Sequence, residues 1–190
     1  GRELHAAHLM GGEITWKALG GDDYQFTLVI YRDCNGLDII DPTQDIRVWD
    51  HPTVSNITCN FISSLDLSPN CTEVIGGPAE IDCGAGTGGG SGPGAIQKFI
   101  YQSGTVTLPG TPPAGGWAFT YDSFSRNWGL SNIDNPPSYG ITLAAIMYEV
   151  PGNTANPCTD SSPQFAQDPY MLSCAGTDFQ FNSDAFDPDN

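Results

Sequence analysis

The sequence predicts an all-β fold, and three observations support that prediction. Fifteen prolines and twenty-three glycines interrupt the chain too often for long helices. Several segments between them alternate polar with apolar residues, as half-buried strands do. These segments are joined by turns rich in glycine, proline and asparagine, at a spacing typical of a β-sandwich. At 190 residues the chain is long enough for a sandwich with a substantial hydrophobic core.

The first half of the chain opens with a hairpin. A short strand over residues 8–16 leads through a turn at residues 20–23 into a long strand over residues 24–33. Alternation in the long strand predicts one apolar face, made of Tyr24, Phe26, Leu28 and Ile30.

Further strands are predicted after this hairpin. Residues 45–50 alternate as a half-buried strand, and short strands are expected over residues 54–61 and 64–67. The glycine-rich stretch 84–94 contains a formal G-x-G-x-x-G pattern, but more glycine and a proline follow instead of a helix. It therefore predicts a loop and no dinucleotide site.

The second half of the chain predicts three more strands. Residues 98–108 form a long one, in which Gly104 indicates a bulge. In residues 117–121 aromatic side chains alternate with small ones, so Trp117 is expected in the core. Residues 141–150 are nearly all apolar, which favours a place at the centre of the sheet.

The domain organisation follows from a change in composition near residue 160. We expect a sandwich over residues 1–160 with an N-terminal extension over residues 1–12. Residues 161–190, with strands expected at 162–165 and 177–181, read as the start of a second β module or as an assembly tail. Two strands alone are marginally stable, so other structure must cover them.

The charge of the chain limits its partners. Six Lys and Arg against twenty-two Asp and Glu give a formal charge of -16, which argues against nucleic acid and anionic membranes. No apolar run reaches the length of a membrane span. Divalent cations are more natural partners, although an acidic surface also serves solubility alone.

Six cysteines indicate disulfides in an oxidising compartment, because none forms a C-x-x-C pair or has histidines at zinc spacing. Fifteen connectivities are open to six cysteines. We expect a local Cys158–Cys174 loop, with the other four stapling the first half. The full set is Cys34, Cys59, Cys71, Cys83, Cys158 and Cys174.

A family resemblance rests on the opening hairpin, residues 8–16 and 24–36, and on the later stretches 117–121 and 161–165. With these stretches the chain resembles the N-terminal domain of large Bacteroidetes cell-surface proteins. That group includes gliding-associated, type IX-secreted adhesins with tandem immunoglobulin-like or PKD repeats. The resemblance implies a disulfide-stapled immunoglobulin-like β-sandwich with Gly/Pro-rich loops, located extracellularly after export through a cleaved signal peptide. It transfers no catalytic residues.

No catalytic arrangement is visible in the sequence. His5, His8 and His51 lie outside any Ser/His/Asp or H-E-x-x-H pattern, and the carboxylates are scattered. We therefore expect a protein that is not an enzyme.

Three candidate sites remain. Asp184, Asp187 and Asp189 offer hard oxygen ligands suited to calcium. Leu4, Ala6 and Leu9 alternate as a strand that could pair with a neighbouring subunit. Trp128 with Arg126 and Asn127 could form a glycan-binding surface.

The sequence thus predicts a secreted structural or adhesive surface protein, a subunit or terminal domain of a filament or adhesin held by strand pairing. Its expected partners are copies of itself or neighbouring modules of the same protein. The alternative is a carbohydrate-binding module of a larger secreted protein that recognises surface glycans.

Overall fold

The computed structural model describes residues 9–36, 38–68, 82–84, 95–124, 126–127, 130–149, 160–168, 178, 180, 182 and 184–189. These residues form nine strands and a short 3₁₀ helix at Pro136–Ser138. The strands, in chain order, are β1 (Leu9–Gly20), β2 (Asp23–Asp33), β3 (Thr43–Trp49), β4 (Asn56–Asp66), β5 (Ile96–Thr107), β6 (Trp117–Phe124), β7 (Gly140–Met147), β8 (Gln164–Phe165) and β9 (Ala185–Phe186).

Seven of the strands form one antiparallel sheet in the order β1-β2-β5-β4-β3-β6-β7. Strands β3, β4 and β5 are consecutive neighbours, and β6 returns to lie beside β3, which is a Greek key. Strands β8 and β9 pair separately as a two-stranded sheet. The all-β prediction is confirmed.

The sheet folds over so that its two ends enclose one core. Rings from the two halves meet there: the Phe119 ring lies 4.7 Å from that of Phe26 and 5.7 Å from that of Trp16. Gly12 of β1 lies against Leu143 of β7, at the other end of the strand order. The arrangement is therefore a sandwich of barrel-like form.

Strand β2 supplies the centre of the core. Tyr24, Phe26, Leu28 and Ile30 are at most 1% exposed, as their alternation predicts. Trp117 is also buried, at 1% exposure. A register shift in β5 falls between the partners of Gln25 and Thr27, so the predicted bulge near Gly104 is confirmed.

The strand order has a known counterpart. Constant-type immunoglobulin domains arrange seven strands as ABED and CFG sheets, the same order as β1-β2-β5-β4 and β3-β6-β7. Here β3 also pairs with β4, which joins the two halves. Antibody domains place a disulfide between their sheets, whereas the Cys34–Cys83 disulfide lies in a small cluster apart from the main core. The likeness is one of strand order.

Two strand predictions were wrong. The apolar strand predicted for the centre of the sheet is β7, which lies at the end of the strand order and exposes alternate side chains. Small residues such as Ala144 made both of its faces look apolar. The two short strands predicted after residue 54 are a single strand, β4, with a register shift between Phe61 and Ser63.

The N-terminal prediction needs correction at Leu9. Leu9 begins β1, opposite Arg32 of β2, and is 2% exposed, so it belongs to the chain's own core and not to a strand donated to a neighbour. The predicted extension over residues 1–12 therefore overlaps β1 from Leu9 onward. Leu4 and Ala6 lie outside the described residues.

The disulfide prediction is confirmed for one pair, Cys34–Cys83, which joins residues 49 apart in sequence. It is wrong for Cys59, a buried free thiol on the core face of β4. Burial and the nearby carboxylate of Asp45 raise the pKa of Cys59 to about 12. The remaining cysteines, Cys71, Cys158 and Cys174, lie outside the described residues.

The C-terminal segment is bound to the sandwich through β1. Ser162 donates its backbone N–H to Trp16 O at 2.9 Å, and its Oγ accepts the Trp16 N–H at 2.9 Å. Ser161 Oγ accepts the Ala18 N–H, and Asp160 O accepts the indole N–H of Trp16. The outer edge of β1 is therefore occupied by the chain itself at this point.

The second short strand of this segment lies later than predicted. Strand β8 pairs with Ala185–Phe186, whereas Asp178 and Gln180 are not in a strand. The other residues of the predicted 177–181 strand lie outside the described part of the chain.

Candidate functional site

The predicted calcium residues are only partly brought together. Asp187 and Asp189 group with Asp160, and one carboxylate oxygen of each lies within 4.8 Å of the others. The Ser161 N–H donates to Asp189 Oδ2 and lowers the Asp189 pKa. Burial and the two neighbouring carboxylates raise the pKa of Asp160. Three converging carboxylates suit a hard cation, which would need further oxygen ligands.

Asp184 is not part of this acidic group. Its backbone carbonyl accepts the Ala166 N–H at 2.9 Å, and its carboxylate accepts the Asn182 side-chain amide at 2.6 Å. The observed acidic group therefore differs from the predicted set, because it lacks Asp184 and includes Asp160. Asp160 lies 27 positions before Asp187, so the spacing of the C-terminal aspartates could not reveal it.

The predicted glycan residues Arg126 and Asn127 make contacts with β1 and β2. Arg126 forms a bridge with Leu9, and the Asn127 side-chain amide donates to Asp33 Oδ2 at 3.0 Å. The Asn127 N–H also donates to Leu9 O. These contacts tie the segment after β6 to β1 and β2. Trp128 lies outside the described residues.

A polar cluster covers the outer face of β2 at Tyr31. The Tyr31 hydroxyl donates to Asp168 Oδ1 at 2.8 Å, and Lys98 Nζ lies 2.5 Å from the same oxygen. Burial and the hydrogen bond to Asp168 raise the pKa of Tyr31. Burial also raises the pKa of Glu13, 3.5 Å from the Tyr31 hydroxyl. The cluster holds Asp168 on the sheet.

An open groove on the outer face of β3, β4 and β6 is a candidate site. Its volume is about 560 Å³. Alternation along β3 sends Ile46 and Val48 into the core and leaves Asp45, Arg47 and Trp49 exposed on the other face. The groove is lined by Thr43, Gln44, Asp45, Arg47, Asn56, Tyr121 and Asp122.

Strand register centres the groove on Arg47. Its Cα partners are Asn56 on β4 and Thr120 on β6. The Arg47 and Asn56 side chains make no hydrogen bond or ion pair with any described residue. Both therefore offer donors to a ligand.

The two groove carboxylates are held by cross-strand threonines. Thr58 Oγ1 donates to Asp45 Oδ1 at 2.6 Å, and Thr142 Oγ1 donates to Asp122 Oδ1 at 2.5 Å. Each carboxylate keeps a second oxygen. On the core face of the same strands, the Tyr121 hydroxyl donates to Gln44 Oε1 at 3.1 Å, and burial raises the Tyr121 pKa.

Sequence reasoning missed this groove, although part of its signal was present. The alternation of residues 45–50 predicted a half-buried strand and hence an exposed face carrying Asp45, Arg47 and Trp49. What the sequence did not provide was strand order. Asp122 and Asn56 reach the same groove because β6 and β4 flank β3.

The two groove carboxylates, Asp45 and Asp122, share the lining with no histidine and no serine among its described residues. No protein family, no curated protein and no solved structure matches this chain. No helix within the described ranges is long and apolar enough to cross a membrane.

Proposed function

We propose that this chain is a binding domain of a secreted surface protein and that it works by attachment rather than catalysis. The observation that carries the proposal is the open polar groove on β3, β4 and β6, whose side chains stand on paired strands. Strands hold a binding surface in fixed geometry better than loops do. The disulfide and the charge of -16 suit a soluble domain in an oxidising, extracellular compartment.

The attachment proposal is tested with beads that carry the purified chain. The beads flow over mucin, cellulose, fibronectin and bare glass, and the detachment force is measured. We expect strong retention on at least one coated surface and none on glass. Retention equal to that of beads coated with serum albumin on every surface would overturn the proposal.

Self-association by strand pairing is a second candidate function. An exposed edge of β4 favours it, whereas the sequence predicted pairing through an N-terminal strand. Strand β3 pairs with β4 only as far as Asn60, so Ile62–Asp66 is hydrogen-bonded to β5 alone among the described strands. Ile62 and Leu65 are each 56% exposed. An exposed apolar edge is a surface to which another strand can add.

Analytical ultracentrifugation and negative-stain electron microscopy test this second candidate. Assembly by this edge predicts dimers or filaments for the native chain and monomers for Leu65→Lys. The control is Tyr139→Lys, which adds the same charge at an exposed ring away from β4. The measurement is made at ~100 μM, a concentration at which weak interfaces are populated. A native chain that is monomeric there, or assemblies that survive Leu65→Lys, would exclude this edge.

Calcium is part of the proposal at the acidic group Asp160, Asp187 and Asp189. Bound there, it would join the end of the chain to the segment that hydrogen-bonds β1. Hard carboxylate oxygens are the ligands that calcium takes, and neighbouring backbone carbonyls or water would complete the shell. Its role would be to hold the C-terminal segment on the sandwich.

A further inference from the structure

We propose that the groove on β3, β4 and β6 binds an uncharged, hydroxyl-rich carbohydrate, with Arg47, Asn56, Asp45 and Asp122 as the recognising side chains and Trp49 as a platform. This inference rests on the proposed attachment function and names its ligand class. It uses a different surface from the predicted one at Arg126 and Asn127, where the Arg126 backbone bridges to Leu9 and the Asn127 side chain donates to Asp33.

The hydrogen-bonding groups of the groove match those of a sugar. Arg47 and Asn56 present unused N–H donors, and each threonine-held carboxylate has an oxygen left over. A sugar hydroxyl both donates and accepts, so adjacent hydroxyls match such a mixed set. Hydrogen bonds to charged groups are also the stronger ones.

The charge of the groove favours an uncharged ligand. Two carboxylates, Asp45 and Asp122, stand in the groove with one guanidinium, Arg47, so the lining is acidic. An anionic ligand such as a sialylated or sulfated glycan would meet both carboxylates and the acidic surface beyond them. A divalent cation would meet Arg47. Among polar ligands, an uncharged one therefore meets the least electrostatic repulsion in the groove.

Trp49 is placed where it can contact a sugar ring. It lies two residues beyond Arg47 on the same face of β3, about 7 Å along the strand. Its indole N–H donates to Thr120 Oγ1 at 2.8 Å, and the side chain is 48% exposed. An anchored, half-exposed indole next to polar groups offers an apolar surface for the C–H face of a sugar ring.

The size and openness of the groove suit an oligosaccharide. A groove of about 560 Å³ is within the range of small-ligand sites. It opens on a sheet face, so a chain of several sugars could continue along β3 toward Trp49. The site therefore suits an oligosaccharide better than a single small metabolite.

The test is a printed array of neutral, sialylated and sulfated oligosaccharides, followed by calorimetry with the best-bound one. We expect a neutral oligosaccharide to bind, and Arg47→Gln and Asp122→Asn each to weaken binding by about tenfold or more. Trp49→Ala is expected to do the same, and Tyr139→Ala to leave binding unchanged.

The matched control for Asp122→Asn is Asp23→Asn. Asp23 Oδ1 accepts from Thr107 Oγ1 at 2.6 Å, the same cross-strand pairing at a place outside the groove. Asp23→Asn should leave the affinity for the oligosaccharide unchanged. Circular dichroism melts verify that all variants fold. Preference for anionic glycans, or binding that persists in both Arg47→Gln and Asp122→Asn, would overturn the inference.

The two proposals fail in different ways. Absence of neutral glycan binding while beads still adhere to fibronectin overturns the carbohydrate inference and leaves attachment standing. Absence of adhesion to every coated surface, together with an empty array, overturns both.

Discussion

Replacing Gly12 by alanine tests how closely the sandwich is packed. A Cβ at this position would lie 2.3 Å from Val29 O and 2.6 Å from Leu143 Cδ1, where ordinary contacts begin at 3.4 Å. Leu143 can change rotamer, but Val29 O belongs to the backbone of β2 and is fixed by strand pairing. The strands must therefore separate locally.

The cost follows from the size of that overlap. An overlap of about 1 Å with backbone is near the upper end of overpacking, about 3 kcal/mol of unfolding free energy. For a chain of this length, that loss lowers the melting temperature by about 6–12 °C. Thermal melts followed by circular dichroism would measure it.

Gly11→Ala is the matched control, because a Cβ there meets nothing within 4 Å. Both variants add the same methyl group to β1, one position apart. We expect Gly11→Ala to melt within about 2 °C of the native chain, as surface substitutions usually do. If the two variants melted at the same temperature, β1 would not lie against β2 and β7 as described.

The other predictions concern the disulfide, the free thiol, pH and calcium. Reducing Cys34–Cys83, which closes a loop of 49 residues, should lower the unfolding free energy by about 4 kcal/mol in urea melts with and without dithiothreitol. The Cys59 thiol, buried with a raised pKa, should react with iodoacetamide only as fast as the chain opens; fast labelling in native buffer would contradict its burial. Because burial raises the pKa of Glu13 above 4.5, its ionised form opposes folding, so Glu13→Gln should melt higher than the native chain at neutral pH and equal to it well below pH 4.5; a constant difference across pH would be inconsistent with this. Calcium should raise the melting temperature, Asp187→Asn should remove the increase and Asp184→Asn should keep it; equal effects of the two variants would exclude the acidic group.

Local patterns predicted the strands well. Alternation placed Tyr24, Phe26, Leu28 and Ile30 on the buried face of β2, and the glycine in β5 marked a bulge. Both features depend on neighbours along the chain, which a sequence states directly. The all-β class follows from the same local signals.

What the sequence did not reveal depends on which strands become neighbours. Strand β7 looked central because Ala144 and Ile146 make its exposed face nearly as apolar as its inner face, yet it ends the strand order. Asp160 meets Asp187 and Asp189 because β8 pairs with β9 and the Ser161 N–H donates to Asp189 Oδ2. Cys59 was assigned to a disulfide on cysteine count, although its position on the core face of β4 keeps its thiol in the main core.

The groove shows the same difference between features that local patterns predict and features that depend on strand order. The exposed face of β3 could be predicted from alternation, but the presence of Asn56 and Asp122 beside Arg47 requires the β4-β3-β6 order. The chemistry of each side chain was available in the sequence. Their convergence was not.

The most direct test of the account is a nitrogen-15 NMR titration of the native chain with the best-bound neutral oligosaccharide from the array. The account predicts that shifted amides cluster at residues 43–49 and at Asn56, Tyr121 and Asp122. Shifts confined to the segment around Arg126 and Asn127, or to no contiguous surface, would contradict it.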